Sequence, residues 1–513
     1  MSDDAEAGTD RQTLARAVAT ELGMAFVELG GRGIVPDVLA VLPRDFITQN
    51  QVLPFADDGK VLHVAIADPI AADVIDRIPG LAGGAVTLAL ATADDIQQAI
   101  ARELGAGPAA GGREDTGTSY ADELDAPVIR LVYDILGDAV RRRASDIHLE
   151  PLAGRFRIRY RIDGALHEAK SPDRALHPPV VSRLKLMASL NIAEKRLPQD
   201  GRIRFKQAER AFDLRVSSLP TVHGESLVLR VLDAEQLKRG LPELGWDADD
   251  QAEFARQLTA SDGMMLVTGP TGSGKTTTLY SCLQHLNRPD RKIITVEDPV
   301  EYQLAGINQV SVNSQTGMTF AAALRAMLRQ APNVIMVGEI RDRETAEVAI
   351  NAALTGHQVL STLHTNDAPS AVTRLLDLGV KPFLVAAALR SVLAQRLVRR
   401  ICPDCRQSYR PAGHELQALG LAADRVGDAV FSRGAGCPAC LGTGYRGRVG
   451  LFELFLVHDG IRAMIYEHVT VARLRQQARR DGMRTMREDG IRKVLAGITT
   501  IEEVVSVTGS DHI

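Results

Sequence analysis

Residues 269–276, GPTGSGKT, match the phosphate-binding pattern G-x-x-x-x-G-K-[ST] at every fixed position, and Thr277 continues the run. That arrangement serves chemistry on a nucleoside triphosphate. Gly269, Pro270, Thr271, Gly272, Ser273 and Gly274 form a turn whose backbone N–H groups point inward at phosphates. Lys275 neutralises the β and γ oxygens, and Thr276 offers a hydroxyl to Mg²⁺. Hydrolysis further needs a holder for the metal and a residue that handles the attacking water, and two acidic strand ends supply candidates. NVIMVGEI at 333–340 is an apolar run ending in Glu339, the pattern of a Walker B strand, suited to the water shell of Mg²⁺. TVEDPVEY at 295–302 presents Glu297, Asp298 and Glu301, and Pro299 turns the chain so that Glu301 faces the γ-phosphate. His357 and His364 flank HQVLSTLH at an odd separation, which sets them on opposite sides of a regular strand. One of them senses nucleotide and the other packs; His364 is carried as the candidate for the site.

The elements that must position these groups follow from hydrophobic periodicity. Residues 264–267, MMLV, read as a buried strand before the phosphate loop, and 275–285 read as a helix after it. Strand-like KIITVEDP, NVIMVGEI and HQVLSTLHT then alternate with helical segments at 320–329 and TAEVAINAALTG. Such alternation implies an α/β fold with a parallel sheet covered by helices. Upstream, 11–104 read as a small α+β domain, with VLHVAIAD at 61–68 its clearest strand and 94–104 its clearest helix. GAGPAAGGREDTGTS at 105–119 has linker composition. A second α+β domain contains a helix at 128–142 and the strand RFRIRYRID at 155–163. One face of that strand is apolar and the other carries four arginines, so the basic face is either solvated or set against acidic groups or phosphates. The segment 237–262, with the single tryptophan Trp246, connects to the phosphate-loop domain, and 471–505 is helical with mixed charge. The boundaries are 1–104, linker 105–124, 125–236 and 237–513.

Five cysteines are present, four of them as Cys402-x-x-Cys405 and Cys437-x-x-Cys440. In a cytosolic chain two such knuckles favour a tetrahedral structural Zn²⁺ over disulfides, within an element at 397–447. The segment between the knuckles is longer than a usual zinc-ribbon loop. Cys282 reads as a small buried hydrophobe.

With 513 residues, 45% hydrophobic and 24% charged, and a net charge of -4, the composition is that of an ordinary globular protein of about three domains. It lacks the basicity of a dedicated nucleic-acid binder, so no specific nucleic acid is expected. No apolar run approaches the roughly 18 residues of a membrane span, and MSDDAEAGTD is unlike a signal peptide. A cytoplasmic chain that meets a membrane through partners is expected.

GPTGSGKTTT, TVEDPVEY, VIMVGEIRD and TGHQVLSTLHTND, in this order, resemble the secretion ATPase superfamily. The tetracysteine element with ASDIHLEP, RYRIDG and KRLPQDGRI resembles, within it, the type II secretion ATPases and their relatives, the type IV pilus extension ATPases. The likeness runs from about 125 to 508. It implies RecA-like motor domains joined to a PAS-like domain, assembled as a homo-hexamer. It further implies an ATP hydrolase driving pseudopilus assembly and protein export, with pilin polymerisation as the alternative. Inner-membrane platform and bitopic secretion proteins would bind the N-terminal domain. By the same resemblance Glu301 is the catalytic base and Glu339 the Walker B acid. Arg215 and Arg230 are arginine fingers from the second domain, which reach a neighbour's nucleotide in a ring. The chain departs from the family pattern at RQAPN, where Ala331 and Asn333 replace two carboxylates, and it lacks a clear RLG-type repeat, which favours secretion over pilus extension. A nucleic-acid translocase on the same core, or a scaffold without turnover, are the competing classes.

Overall fold

A computed structural model of the chain describes residues 16, 19, 24–30, 33–50, 52–59, 61–67, 78–82, 84–104, 120–207, 210–232, 240–421 and 429–509. Two compact units divide it, Met1–Gly117 and Thr118–Ile513. The residues 105–119 read as a linker lie outside the described set, as do the ends at 233–239 that would join the second domain to the motor.

In the first unit a four-stranded sheet runs in the order Ala25–Phe26, Ala85–Leu90, Val61–Ile66, Val52–Asp57. The helices Arg44–Asn50 and Ala93–Leu104 bury Ile47 and Ile96 against Leu53, Val64 and Ile66, giving the small α+β core expected.

The second unit opens with a six-stranded antiparallel sheet, ordered Ala165–Glu168, Phe156–Ile162, Asp146–Pro151, Gly224–Leu232, Arg210–Thr221, Gln199–Gln207. Period two in Phe156–Ile162 sends Phe156, Ile158, Tyr160 and Ile162 into the core beneath the helices Tyr120–Arg141 and His177–Met187. The opposite, charged face is neutralised within the chain. Arg157 and Arg159 pair with Glu150 at 2.8 and 2.6 Å, Arg155 with Glu168 at 2.9 Å, and Arg161 with Asp146 at 3.3 Å. The acidic partners come from neighbouring strands on the same face, where Arg155 and Arg161 keep 52% and 36% of their side-chain surface exposed, as on a solvated sheet face.

The motor sheet has seven strands in the order Asn308–Ser311, Ile293–Glu297, Val334–Val337, Gln358–Leu363, Gly263–Thr268, Leu389–Ile401, Tyr445–Leu456. All adjacent pairs are parallel except the last, which is antiparallel. The strand before the phosphate loop therefore lies inside the sheet. Leu389–Ile401 and Tyr445–Leu456 extend the sheet beyond the expected alternation. Their signal is weak because Ser391 and Gln395 are buried beside apolar neighbours, so neither period two nor a clean apolar run marks the segment. The cysteine element lies between these two strands, with its own ribbon of Arg406–Tyr409 and Phe431–Gly434. Trp246 fastens the connector to the motor, stacked between Phe254 and Phe452 with ring centroids 4.9 and 3.9 Å away.

Candidate active site

Four chain segments leave the parallel sheet at the C-terminal ends of its strands, and there they bring the chemistry together, as open α/β sheets do. After Gly263–Thr268 the phosphate loop turns through Gly269 at φ 147° and Gly274 at φ 90°, conformations open to glycine. A Cβ at Gly274 would stand 2.8 Å from Gln395 Nε2, so the turn also needs the space. Gln395 donates through Nε2 to Ser273 O at 2.8 Å and accepts at Oε1 from Thr278 Oγ1 at 2.7 Å, clasping the loop to the first turn of the helix Lys275–Leu286. This buried clasp was not among the residues expected; its signal is a lone amide within LRSVLAQRL. Lys275 Nζ donates to Gly269 O at 2.8 Å and Pro270 O at 3.1 Å. Burial pushes its ammonium below the ordinary value, while Glu339 acts against that shift and Arg396 adds to it. Thr276 and Thr277 sit in the first turn, where the helix presents unpaired N–H groups and positive potential to an anion.

Glu339 follows the strand Val334–Val337, paired with Arg341 and with His364 Nε2 at 3.4 Å. The two histidines stand at opposite ends of the strand Gln358–Leu363. His364 joins the acidic centre at the C-terminal end of Gln358–Leu363, whereas His357, at the other end, donates through Nδ1 to Ala352 O at 3.1 Å and closes the helix Arg343–Leu354.

The carboxylates of TVEDPVEY separate in the same way. Glu297 is 4% exposed and accepts from the Tyr280 hydroxyl, from Thr295 Oγ1 at 2.5 Å and from Gln309 Nε2 at 3.2 Å, so its oxygens are spent on neighbours. Burial and the adjoining Glu297 push the Tyr280 phenol far above its ordinary value, which keeps it a donor. Glu301 is half-buried and meets Arg215 Nη1 at 2.8 Å, while Arg215 Nη2 donates to Val300 O at 3.0 Å. Arg215 comes from the second domain's strand Arg210–Thr221. Its cross-strand neighbour Arg230 donates through Nε to Asp146 Oδ1 at 3.2 Å. Arg230 also lines a cleft of about 550 Å³ with Arg143, Gly274, Thr277 and Leu397. Arg215 thus meets the segment that follows Ile293–Glu297, and Arg230 the cleft beside the phosphate loop.

The departure at RQAPN has a structural reading. Asn333 Oδ1 accepts from Lys292 N at 2.8 Å, and Lys292 Nζ donates to Gln330 O at 2.6 Å, which sets the start of Ile293–Glu297 beside Val334–Val337. Ala331 is held there at φ 48°.

Away from this centre, the Sγ atoms of Cys402, Cys405, Cys437 and Cys440 all lie within 4.8 Å of one another. Pairs stand 3.9, 3.9 and 3.7 Å apart, against about 3.8 Å for a tetrahedron with metal–sulfur bonds of about 2.3 Å. The donor set fits a four-coordinate ion and is too open for a disulfide. Burial pushes the Cys405 thiol up to about 12. For Cys440 burial acts upward too, yet the N–H groups of Cys437 and Gly444 outweigh it and hold the thiol at about 6. Cys282 is wholly buried, as expected.

Residues 121–506 match the family described as Type II/IV secretion system protein, and residues 22–109 match the MshEN domain. The chain is 44% identical over 519 residues to the type IV pilus assembly ATPase PilB of Myxococcus xanthus, spanning 96% of this chain and 91% of that protein. It is 51% identical over 386 residues to type II secretion system protein E of Pseudomonas aeruginosa, spanning 75% of this chain and 76% of that protein. Among solved structures, the Legionella pneumophila ATPase DotB aligns over 77% of this chain and 98% of its own with a TM-score of 0.56 at 21% identity, a likeness of fold alone.

Proposed function

Because the chain belongs to the type II/IV secretion system protein family and is an ATP hydrolase of that family, we propose that it splits ATP between its second domain and its motor sheet to drive pseudopilus assembly and export in type II secretion. The observation that carries the mechanism is Arg215 of the second domain resting on Glu301 of the motor, in the segment after Ile293–Glu297. On ATP arrival Lys275 exchanges the carbonyls of Gly269 and Pro270 for β and γ oxygens. Thr276 and Glu339 would hold Mg²⁺, which supplies positive charge at the phosphates. Glu301 takes a proton from water as the oxygen attacks the γ-phosphorus, the bond to the β–γ bridging oxygen breaks, and ADP and phosphate form. Arg215 occupies the Glu301 carboxylate that must meet the water, so Arg215 must leave first, and the γ-phosphate offers it another anion. The move ties the position of the second domain to the chemical step.

In this reading the second domain is PAS-like, Cys402, Cys405, Cys437 and Cys440 hold a structural Zn²⁺, and six chains form a ring. The ring works at the cytoplasmic face of the inner membrane, docked through residues 1–104 on platform and bitopic proteins. The MshEN match at 22–109 supports a separate docking module, and among the described residues no helix is long and apolar enough to cross a membrane. Glu301→Gln protein should bind ATP and fail to hydrolyse it; normal turnover would remove Glu301 as base. The second reading, pilus extension, is favoured by the likeness to the Myxococcus xanthus relative across 96% of the chain. A deletion strain decides between them: exoproteins retained in the periplasm support secretion, and loss of surface pili with normal export supports extension.

A further inference from the structure

The charged face of the second sheet carries one transverse row that matters beyond the arginine pair. Strand register sets Arg161 opposite Asp146, Asp146 opposite Arg230, Arg230 opposite Arg215, and Arg215 opposite Arg202. Like charges directly opposite each other on adjacent strands repel, so a row of this kind stands only where anions are interleaved. Arg202 is answered by Asp213 and Arg215 by Glu301. Asp146 is the only carboxylate within the row itself. It is 7% exposed, and its oxygens take Arg230 Nε at 3.2 Å, Arg161 Nε at 3.3 Å and Ser145 Oγ at 2.9 Å. A buried carboxylate with three donors is held in one place.

Resting on the hydrolase reading above, we propose that Asp146 is a positioning residue for ATP hydrolysis, acting through Arg230. Asp146 engages Arg230 at Nε, and its two Nη groups are not spent on that carboxylate. The guanidinium is then anchored through Nε, and Arg230 lines the cleft that Gly274 and Thr277 also line. Arg161, on the far side of Asp146, and Ser145 fix the carboxylate from behind. Asp146 lies on the other side of Arg230 from Arg215, so without it Arg230 would face Arg215 across the strands with no anion on its own guanidinium, and it would swing out of place. The effect belongs to orientation: an arginine free to move about 1 Å from its productive place costs on the order of 100-fold in rate.

The test is a double-mutant cycle on full-length protein in the presence of Mg²⁺, with kcat, KM for ATP and the thermal midpoint measured for each variant. Asp146→Asn keeps the shape and removes the charge; it should lower kcat about 10- to 100-fold while KM changes little. Arg230→Ala should lower kcat at least as far, and the double variant should be no slower than Arg230→Ala alone, since Asp146 has then nothing to position. Losses that multiply in the double variant would overturn the proposal, because Asp146 would be acting elsewhere. Arg155→Ala breaks the ion pair with Glu168 on the same sheet face without touching Asp146 and supplies the control for folding. A turnover close to wild type there supports positioning, whereas a loss equal to that of Asp146→Asn, with the same fall in thermal midpoint, would make the carboxylate a brace for the sheet and overturn it. Failure of this idea is separable from failure of the hydrolase reading: the latter falls only if the wild-type protein itself does not hydrolyse ATP, or if Lys275→Ala leaves hydrolysis intact.

Discussion

Lys275 shows how little of the fold depends on the residue that matters most for chemistry. Its ammonium touches only two carbonyls of its own loop, so Lys275→Ala should abolish ATP turnover while leaving the thermal midpoint close to wild type. A collapse of stability would mean that the lysine braces the loop. Ala331 is the reverse case, a residue far from chemistry that strains the backbone. A side chain with a Cβ in the left-handed region costs roughly 1–2 kcal/mol, and asparagine bears that conformation better. Ala331→Asn should therefore raise stability by about 0.5–1 kcal/mol in a urea titration with no change in turnover. An unchanged or lowered midpoint would show that the loop relaxes without help. Whether Glu297 or Glu301 handles the water was legible in sequence only as a choice among neighbours. Burial of Glu297 beneath Tyr280, Thr295 and Gln309, and exposure of Glu301 to Arg215, separate them.

At the scale of elements, the strand Leu389–Ile401 does two jobs that its sequence conceals. It extends the sheet beside the phosphate-loop strand, and its Gln395 clasps the loop to the first turn of the helix that follows. Gln395→Ala would leave Ser273 O and the Thr278 hydroxyl without their partner, at about 1–3 kcal/mol, and should raise KM for ATP more than it lowers kcat. An unaltered KM would mean the loop is held by its glycine turns alone. The cysteine element gives a prediction of another kind. About one zinc per chain should be found by elemental analysis, and Cys402→Ser should loosen 402–440 to hydrogen exchange without altering ATP binding. Burial pushes the Cys405 thiol up, so zinc uptake by stripped protein should release protons and weaken progressively as pH falls. Metal uptake without proton release would place the ion elsewhere.

For the whole molecule the decisive contact is between the second domain and the motor. Arg215 and Glu301 meet within one chain. Mixed rings of Arg215→Ala and Glu301→Gln protein should then regain little hydrolysis, because no chain in them carries both groups. Recovery in rings shown to be mixed would put the working arginine on a neighbour, as first expected from the sequence.

Short contiguous segments were readable without coordinates, and the reason is geometric. A phosphate loop, an acidic strand end or a Cys-x-x-Cys knuckle places its groups through a few consecutive dihedral angles, so spacing alone specifies the chemistry. The period of two at 156–162 marked a core face for the same reason. Register and domain docking are set by contacts between residues far apart in the chain, which spacing does not encode. That is why the row from Arg161 to Arg202, the clasp of Gln395 on the phosphate loop, and the division of labour between His357 and His364 were decided only by tertiary structure. The charged face of RFRIRYRID could be read as a partner surface until the neighbouring strands supplied Glu150, Asp146 and Glu168. The sequence determined what reaction the chain can perform; tertiary structure decided how its carboxylates differ, with Glu297 buried among donors and Glu301 set against Arg215, because only surroundings distinguish side chains of identical chemistry.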